Sequence, residues 1–131
     1  MIRAATPAEI AFVCGKLPLP YSPSMRGVRN EGAMVVYDSW TPNAVQVHIY
    51  STGPRYLLNR VFLTEVFTYG FIQCAKGKLF TITPASAAES LKVSDALGFR
   101  EVYRQIDGWD TGIDMVVKEM TRKECRYLRM H

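Results

Sequence analysis

Cysteine, histidine and long apolar runs are all scarce in this chain. Its 131 residues include three cysteines, Cys14, Cys74 and Cys125. They are far apart, odd in number and form no CxxC pair. That excludes a disulfide framework and leaves no metal site to expect. Free thiols, mostly buried, are the expectation. No apolar run approaches the roughly 18 residues of a membrane span. The first residues, Met1 to Pro7, lack the apolar block of a signal peptide. A cytoplasmic location, or a place inside a particle assembled in a cytosol, is expected. There is no dense Lys/Arg run and no basic block interleaved with aromatics, so nucleic-acid binding starts as a minor reading.

Hydrophobic residues make up 48% and charged residues 21%, with mean hydropathy −0.03. This is a globular composition at the length of one domain. The net charge is +4, from 16 basic and 12 acidic residues. Part of the excess lies near the end, where Lys118, Arg122, Lys123, Arg126 and Arg129 face only Glu119 and Glu124. A mild excess suits an anionic, nucleotide-like ligand or weak nucleic-acid contact, and charge alone selects neither.

Met1 to Ala5 reads as a short strand. Thr6-Pro7-Ala8-Glu9 is a helix start, with Thr6 as cap, Pro7 in the first position and Glu9 in the first turn. Ile10, Val13, Cys14 and Leu17 follow at helical spacing. Residues 18–32 read as a loop. Met34 to Asp38 and Val45 to Tyr50 read as strands. In the second, Gln46, His48 and Tyr50 share one face. A largely buried helix is expected from about Pro54 to Cys74, then a strand from Leu79 to Thr83. Strand, long helix, strand is a βαβ unit with parallel strands. A further helix from Pro84 to Leu97 stops at Gly98. Phe99–Arg104 and Ile113–Met120 read as strands around a turn-rich loop over 107–112. Thr121 and Glu124 have capping-box spacing for a short helix over about 121–130.

The expectation is therefore one α/β domain over 1–131, with a mixed sheet and a central βαβ unit. Ligands of such sheets sit beyond the carboxyl ends of the parallel strands. Two segments lie there, Ser51 to Arg55 and Thr83 to Ser86. A helix beginning at Pro54 would turn backbone N–H groups outward toward an anion, with Arg55 adding charge.

This element order, and the string Ser86 to Val102 with its Leu97-Gly98-Phe99 turn, resembles the GNAT superfamily of N-acetyltransferases. The likeness covers nearly the whole chain. Tyr103 to Trp109 and Cys125 to Leu128 are also similar to small acetyltransferase-like proteins of bacteriophages. The resemblance implies acetyl-CoA held where two parallel strands splay, between Val45–Tyr50 and Leu79–Thr83. It implies a pyrophosphate loop at Thr52, Gly53, Arg55 and Tyr56, a cofactor contact near Ser86, and an amine acceptor. Where the family has a second loop glycine, this chain has Pro54, which has no N–H. Ser94 stands at the family's usual tyrosine acid and Ala87 at its usual asparagine.

His48 suits a general base, since imidazole titrates near pH 6.5. The other reading of His48 is a structural histidine. Tyr50 suits a replacement acid or ordinary packing. Glu65 could face the cleft or solvent. Asp107, Asp110 and Asp114 fit a turn better than calcium ligands. Two main functions follow. The first is an acetyl-CoA-dependent N-acetyltransferase acting on an unidentified small-molecule or protein amine. The second is a catalytically silent module of the same fold, a binding, virion or host-interaction protein, with homo-oligomers open to either. Nucleic-acid contact through Arg26, Arg29 and the tail is a third, weaker reading.

Overall fold

The computed structural model describes residues 1–128. Seven strands and four α-helices among them build a single α/β domain. The strands are β1 (Arg3–Ala4), β2 (Arg26–Arg29), β3 (Ala33–Asp38), β4 (Ala44–Ser51), β5 (Lys78–Pro84), β6 (Arg100–Asp110) and β7 (Ile113–Thr121). They form one sheet in the order β1-β2-β3-β4-β5-β7-β6. Only β4 and β5 run parallel; every other pair is antiparallel. The sheet is mixed, with the expected βαβ unit at its centre.

Helix α1 (Pro7–Lys16) begins as its sequence dictates. Glu9 N–H donates to Thr6 Oγ1 at 3.2 Å, and Thr6 N–H donates to Glu9 Oε1 at 2.9 Å. Its buried face, Ile10, Val13 and Cys14, packs with Met34 and Val36 of β3. The opposite face of the sheet carries the larger core. There Val35, Tyr37, Val45, Val47 and Leu79 meet Phe62, Leu63, Val66, Phe67 and Phe71. Strand β3 is buried on both faces, which explains its unbroken apolar run Ala33–Tyr37. The Tyr37 hydroxyl donates to the Val66 carbonyl at 2.6 Å and ties sheet to helix.

Several boundaries differ from those expected. The helix read over 54–74 is three pieces: α2 (Pro54–Leu57), α3 (Arg60–Thr68) and a π-helical turn over Tyr69–Gln73. The break is local, because Asn59 is extended and accepts from Phe62 N–H at 3.1 Å as a new N-cap. Residues 26–29 are strand rather than loop, through register pairing with β3 from Arg26↔Tyr37 to Arg29↔Met34. Helix α4 (Ala88–Leu97) starts after Pro84, since Pro84 completes β5 opposite Met115. It ends at Gly98 with φ 109°, the left-handed stop that was expected.

The loop read over 107–112 is mostly strand, with only Thr111 and Gly112 left as the β6–β7 turn. At the far end, Thr121 and Glu124 do form a capping box, but it opens a single 3-10 turn, Arg122–Glu124. Cys125 is extended, and the Tyr127 ring stacks on Phe67 at 5.0 Å. The chain therefore folds back onto the core instead of continuing as a helix. The rest of the helix expected to about residue 130 lies outside the described residues.

No helix among the described residues is long and apolar enough to cross a membrane. The three cysteines are free thiols, Cys14 and Cys125 buried and Cys74 half-buried. Arg29 is bound to Glu9 at 2.6 Å, and Arg26 donates to the carbonyls of Pro23 and Met25. These two arginines are engaged within the fold.

Candidate functional site

Strands β4 and β5 pair in register at three positions only: Ala44↔Lys78, Val45↔Leu79 and Gln46↔Phe80. Beyond Gln46 they part. Each stays fixed by its other neighbour, β4 by β3 as far as Ser51 and β5 by β7 as far as Pro84. The result is a wedge-shaped gap at the carboxyl ends of the two parallel strands, where an open α/β sheet takes its ligands. A cavity of about 770 Å³ fills it, within the usual range for small-molecule sites. Residues of both strands line it, together with Leu17–Leu19 after α1, Val93 and Ser94 of α4, and Trp109 of β6. The lining comes from both faces of the sheet, so the gap passes through it.

His48 lies on the α1 face of β4, opposite Val36, and borders this cavity. Its Nε2 is buried, makes no hydrogen bond and lies 3.6 Å from Asp38 Oδ2. Burial pulls the imidazole pKa below its ordinary value, and the Asp38 carboxylate opposes that shift. Neutral His48 therefore persists to lower pH than a free imidazole. A neutral imidazole in that state can accept a proton, and the polar group nearest its buried Nε2 is the Asp38 carboxylate.

Thr81 is the second orphan. It is 6% exposed, borders the cavity from the α3/α4 side and has a buried Oγ1 with no partner. A buried hydroxyl without a hydrogen bond costs about 1–3 kcal/mol. His48 Nε2 and Thr81 Oγ1 are the only such side-chain atoms among the described residues, and both belong to residues of this cavity.

Tyr50 does not join His48, although it shares its strand face. Tyr50 and Thr52 line a smaller cavity of about 360 Å³ between α1 and the β2–β3 hairpin. The other loop residues form a closed structure. Gly53 N–H donates to Ser51 Oγ at 3.0 Å, and Ser51 Oγ–H returns to the Gly53 carbonyl at 2.6 Å. Thr52 gives both its N–H and its hydroxyl to the Gly32 carbonyl. Tyr56 N–H is held by the Gly53 carbonyl at 3.1 Å. Pro54 has no N–H. Arg55 bends back over the Tyr56 ring and donates to its hydroxyl at 2.5 Å. Most amides expected to face an anion are thus already paired within the protein. Ser51 and Leu57 are the residues of this segment that border the large cavity. Ser86 is exposed and outside the lining, which includes Ala87, Glu89 and Ser90 instead. Glu65 is exposed on α3 and is not part of the lining.

The Asp107–Asp114 group builds the hairpin end. Asp107 Oδ1 accepts from Gly112 N–H, and Asp114 Oδ1 from Asp107 N–H. Among the described residues no group of three or more His, Cys, Asp or Glu side chains could hold a metal ion.

Sequence reasoning missed Thr81 and Lys118. Lys118 is only 4% exposed and lies in register with Thr81. Its Nζ donates to Asp95 Oδ1 at 2.6 Å, the Leu91 carbonyl at 2.8 Å and Ser94 Oγ at 3.0 Å. The signal was present: Lys118 alternates with Val116 and Met120 on the inward face of an apolar strand.

No protein-family model matches the chain, and no curated protein matches it in sequence. Solved structures do match. One is a point mutant of spermidine N-acetyltransferase SpeG from Vibrio cholerae, at TM-score 0.72 and 11% identity, over 97% of this chain and 96% of that one. Another is spermidine/spermine N-acetyltransferase SpeG from the same organism in complex with manganese ions, at TM-score 0.68 and 11% identity, over 92% and 91%. A third is a dodecameric spermidine N-acetyltransferase of that organism, at 0.69 and 11%, over 94% of both chains. At such identities the likeness establishes the fold: this chain has the α/β fold of the GNAT superfamily. These neighbours lend nothing to a phage-type or virion reading.

Proposed function

We propose that the protein is an acetyl-CoA-dependent N-acetyltransferase. The observation that carries this reading is the splay after Gln46 and Phe80, lined by two residues, His48 and Thr81, that each hold a buried polar atom without a partner. Past that pair, the inner edges of β4 and β5 have no strand partner. Their peptide groups suit the amides of a pantetheine arm, which is an extended, peptide-like chain. Thr81 borders the same gap, and its buried Oγ1 has no partner among the described residues. The fit is weaker at the phosphate end, where the Ser51–Tyr56 loop keeps most of its amides. The pantetheine and thioester are therefore the parts best held. Bound acetyl-CoA would supply an acetyl group activated as a thioester.

The acceptor amine reaches the gap from the α1 face, past Leu17–Leu19, where His48 waits. His48 Nε2 takes the proton the amine must lose on attack. The structural neighbours act on spermidine by name. Here the lining holds one carboxylate, the exposed Glu89, and the apolar Leu17, Leu19 and Trp109. That composition favours an amine with an apolar body over a long polycation. The dodecameric neighbour makes a homo-oligomer a reasonable assembly for this chain as well.

Calorimetric titration with acetyl-CoA and with CoA tests the reading. Saturable micromolar binding is expected, with His48→Ala keeping that binding and losing turnover on a panel of amines. No heat up to millimolar cofactor overturns the enzyme and leaves the silent module.

A further inference from the structure

Strand β6 contributes no residue to either core. It runs from Arg100 to Asp110, and every residue in it is exposed except Gly108, which is half-buried. It is also the last strand of the sheet, so one side of its backbone meets β7 and the other meets no strand. Four of its side chains are large and apolar: Val102 is 42% exposed, Tyr103 54%, Ile106 71% and Trp109 52%. Together they put an apolar area on the order of 400 Å² into water, the size at which an exposed patch marks an interaction site. A long apolar edge strand left bare is a template for pairing with another chain.

The strand has a fixed shape. Gln105 pairs with Met115 and Asp110 with Ile113, so Ile106 to Trp109 stand opposite Asp114 alone. Asp114 Oδ1 accepts from Asp107 N–H at 3.1 Å, and Asp107 Oδ1 accepts from Gly112 N–H at 2.9 Å, which pins this bulge. A second irregularity falls between Glu101 and Tyr103. Bulges shorten the stretch that another strand can follow, so the edge suits one closed pairing rather than a growing fibre.

The charges of β6 select the chain that fits it. Arg100 and Arg104 lie in its first half, Asp107 and Asp110 in its second. The arginine side chains are 52% and 40% exposed. The two aspartates make no ion pair among the described residues, and Asp110 Oδ1 accepts only from Thr111 N–H at 2.7 Å. Glu101, the one acid in the basic half, is already held by Arg104 at 3.4 Å. A copy of the same strand laid antiparallel sets the basic half of each chain beside the acidic half of the other. A parallel copy sets like charges together.

We propose that β6 is a self-recognition edge, along which a second copy of this chain pairs antiparallel and covers Val102, Tyr103, Ile106 and Trp109. The pair has a two-fold axis, and the same patch serves both chains. Trp109 also borders the large cavity, so the partner lies beside the cavity mouth. The inference rests on β6 itself and stands whether or not CoA binds. It goes beyond the likeness to a dodecamer, because it assigns the surface and the orientation from this strand's own residues.

Sedimentation velocity over roughly 1–100 μM protein tests it. A monomer–dimer equilibrium in the micromolar range is expected for an interface of this modest size. Ile106→Glu changes a side chain that is 71% exposed, so Tm should hold while association weakens by about tenfold or more. Arg104→Glu and Asp110→Lys should each weaken self-association by about fivefold. An equimolar mixture of those two variants should associate about as well as wild type, because the new acid on one chain meets the new base on the other. A wild type that stays monomeric throughout overturns the inference. An assembly that Ile106→Glu leaves unchanged overturns it by placing the interface elsewhere. A mixture no better than either charge variant alone overturns the antiparallel pairing.

Discussion

Gln46 and Phe80 are the last register partners that β4 and β5 share, and the cavity begins where they end. The two strands part because each has a firmer partner on its other side. Six register pairs hold β4 to β3, and seven hold β5 to β7. The parallel contact has only three. An unsatisfied seam through the middle of a sheet is costly unless something fills it.

Thr81→Val separates stability from binding. Valine has nearly the shape of threonine and lacks the orphaned hydroxyl. Removing an unpaired buried polar group should stabilise the protein by about 1 kcal/mol, raising Tm by about 3–6 °C for a domain of this size. On the proposed acetyl-CoA reading the same change removes a polar group from the cofactor gap, so CoA affinity should fall. Thermal melts and calorimetry on one preparation check both. A variant that is less stable, or that binds CoA as well as wild type, would show that the hydroxyl has no waiting partner.

Ser51→Ala tests whether the closed loop limits phosphate binding. Ser51 Oγ holds the Gly53 amide at 3.0 Å. Losing it frees the Gly53 N–H two residues beyond Ser51, which borders the cavity. Affinity for CoA should tighten by about fivefold, equivalent to one hydrogen bond of about 1 kcal/mol. Affinity for dephosphorylated pantetheine should stay the same. A weaker complex with CoA would mean that the serine hydroxyl itself is the contact.

His48 gives the protein a pH dependence whose sign is fixed by burial. Burial lowers its folded-state pKa below the ordinary value. In the interval between the two values the unfolded chain binds more protons than the folded one. Stability must then fall as pH drops through about 6.5, and it levels off only below the folded value. His48→Gln should flatten this dependence, measured as urea-unfolding free energy between neutral pH and about pH 5. Asp38 opposes the shift, so Asp38→Asn should lower the folded value further and move the acid limb of activity to lower pH. Equal slopes in wild type and His48→Gln would show that the imidazole titrates as if in water.

What was legible in the sequence was what local chemistry decides. Thr6 with Glu9, the alternation in Val45–Tyr50 and the Gly98 stop each specify their structure within a few residues. Strand β2 was not legible, because its four residues owe their conformation to β3 across the hairpin. The break at Asn59 was masked by an apolar pattern that continues through it. Of the site, His48 could be placed on a cleft-bordering strand by counting. Thr81, Ser94 and Lys118 could not be brought together, since their meeting depends on the β5–β7 register and on how α4 lies over it. Tyr50 shows the limit of strand parity. It shares a face with His48 and opens into a different cavity, because the strand is long enough to pass from one to the other.

The β2–β3 hairpin and the loop after β4 are locked through one glycine, and this makes a last prediction. Asn30 Oδ1 accepts from the amides of Gly32 and Ala33 at 3.0 and 2.8 Å, while its Nδ2 donates to the Tyr56 carbonyl at 2.8 Å. Gly32 in turn receives both donors of Thr52 on its carbonyl. The Tyr56 ring lies so close over Gly32 that a Cβ there would overlap it. Gly32→Ala must therefore push Tyr56 aside, at about 1–3 kcal/mol of overpacking. In a Tyr56→Ala background the same methyl meets no ring and should cost much less. Urea unfolding of the wild type, both single variants and the double variant gives a cycle whose coupling should reach about 0.5–3 kcal/mol. Additive losses would mean that Tyr56 yields freely and that the hairpin does not hold the loop. Strong coupling, with CoA affinity altered in Gly32→Ala, would make this glycine the residue that fixes the loop's closed form. The closure of the loop would then be set by the neighbouring β2–β3 hairpin as much as by Pro54.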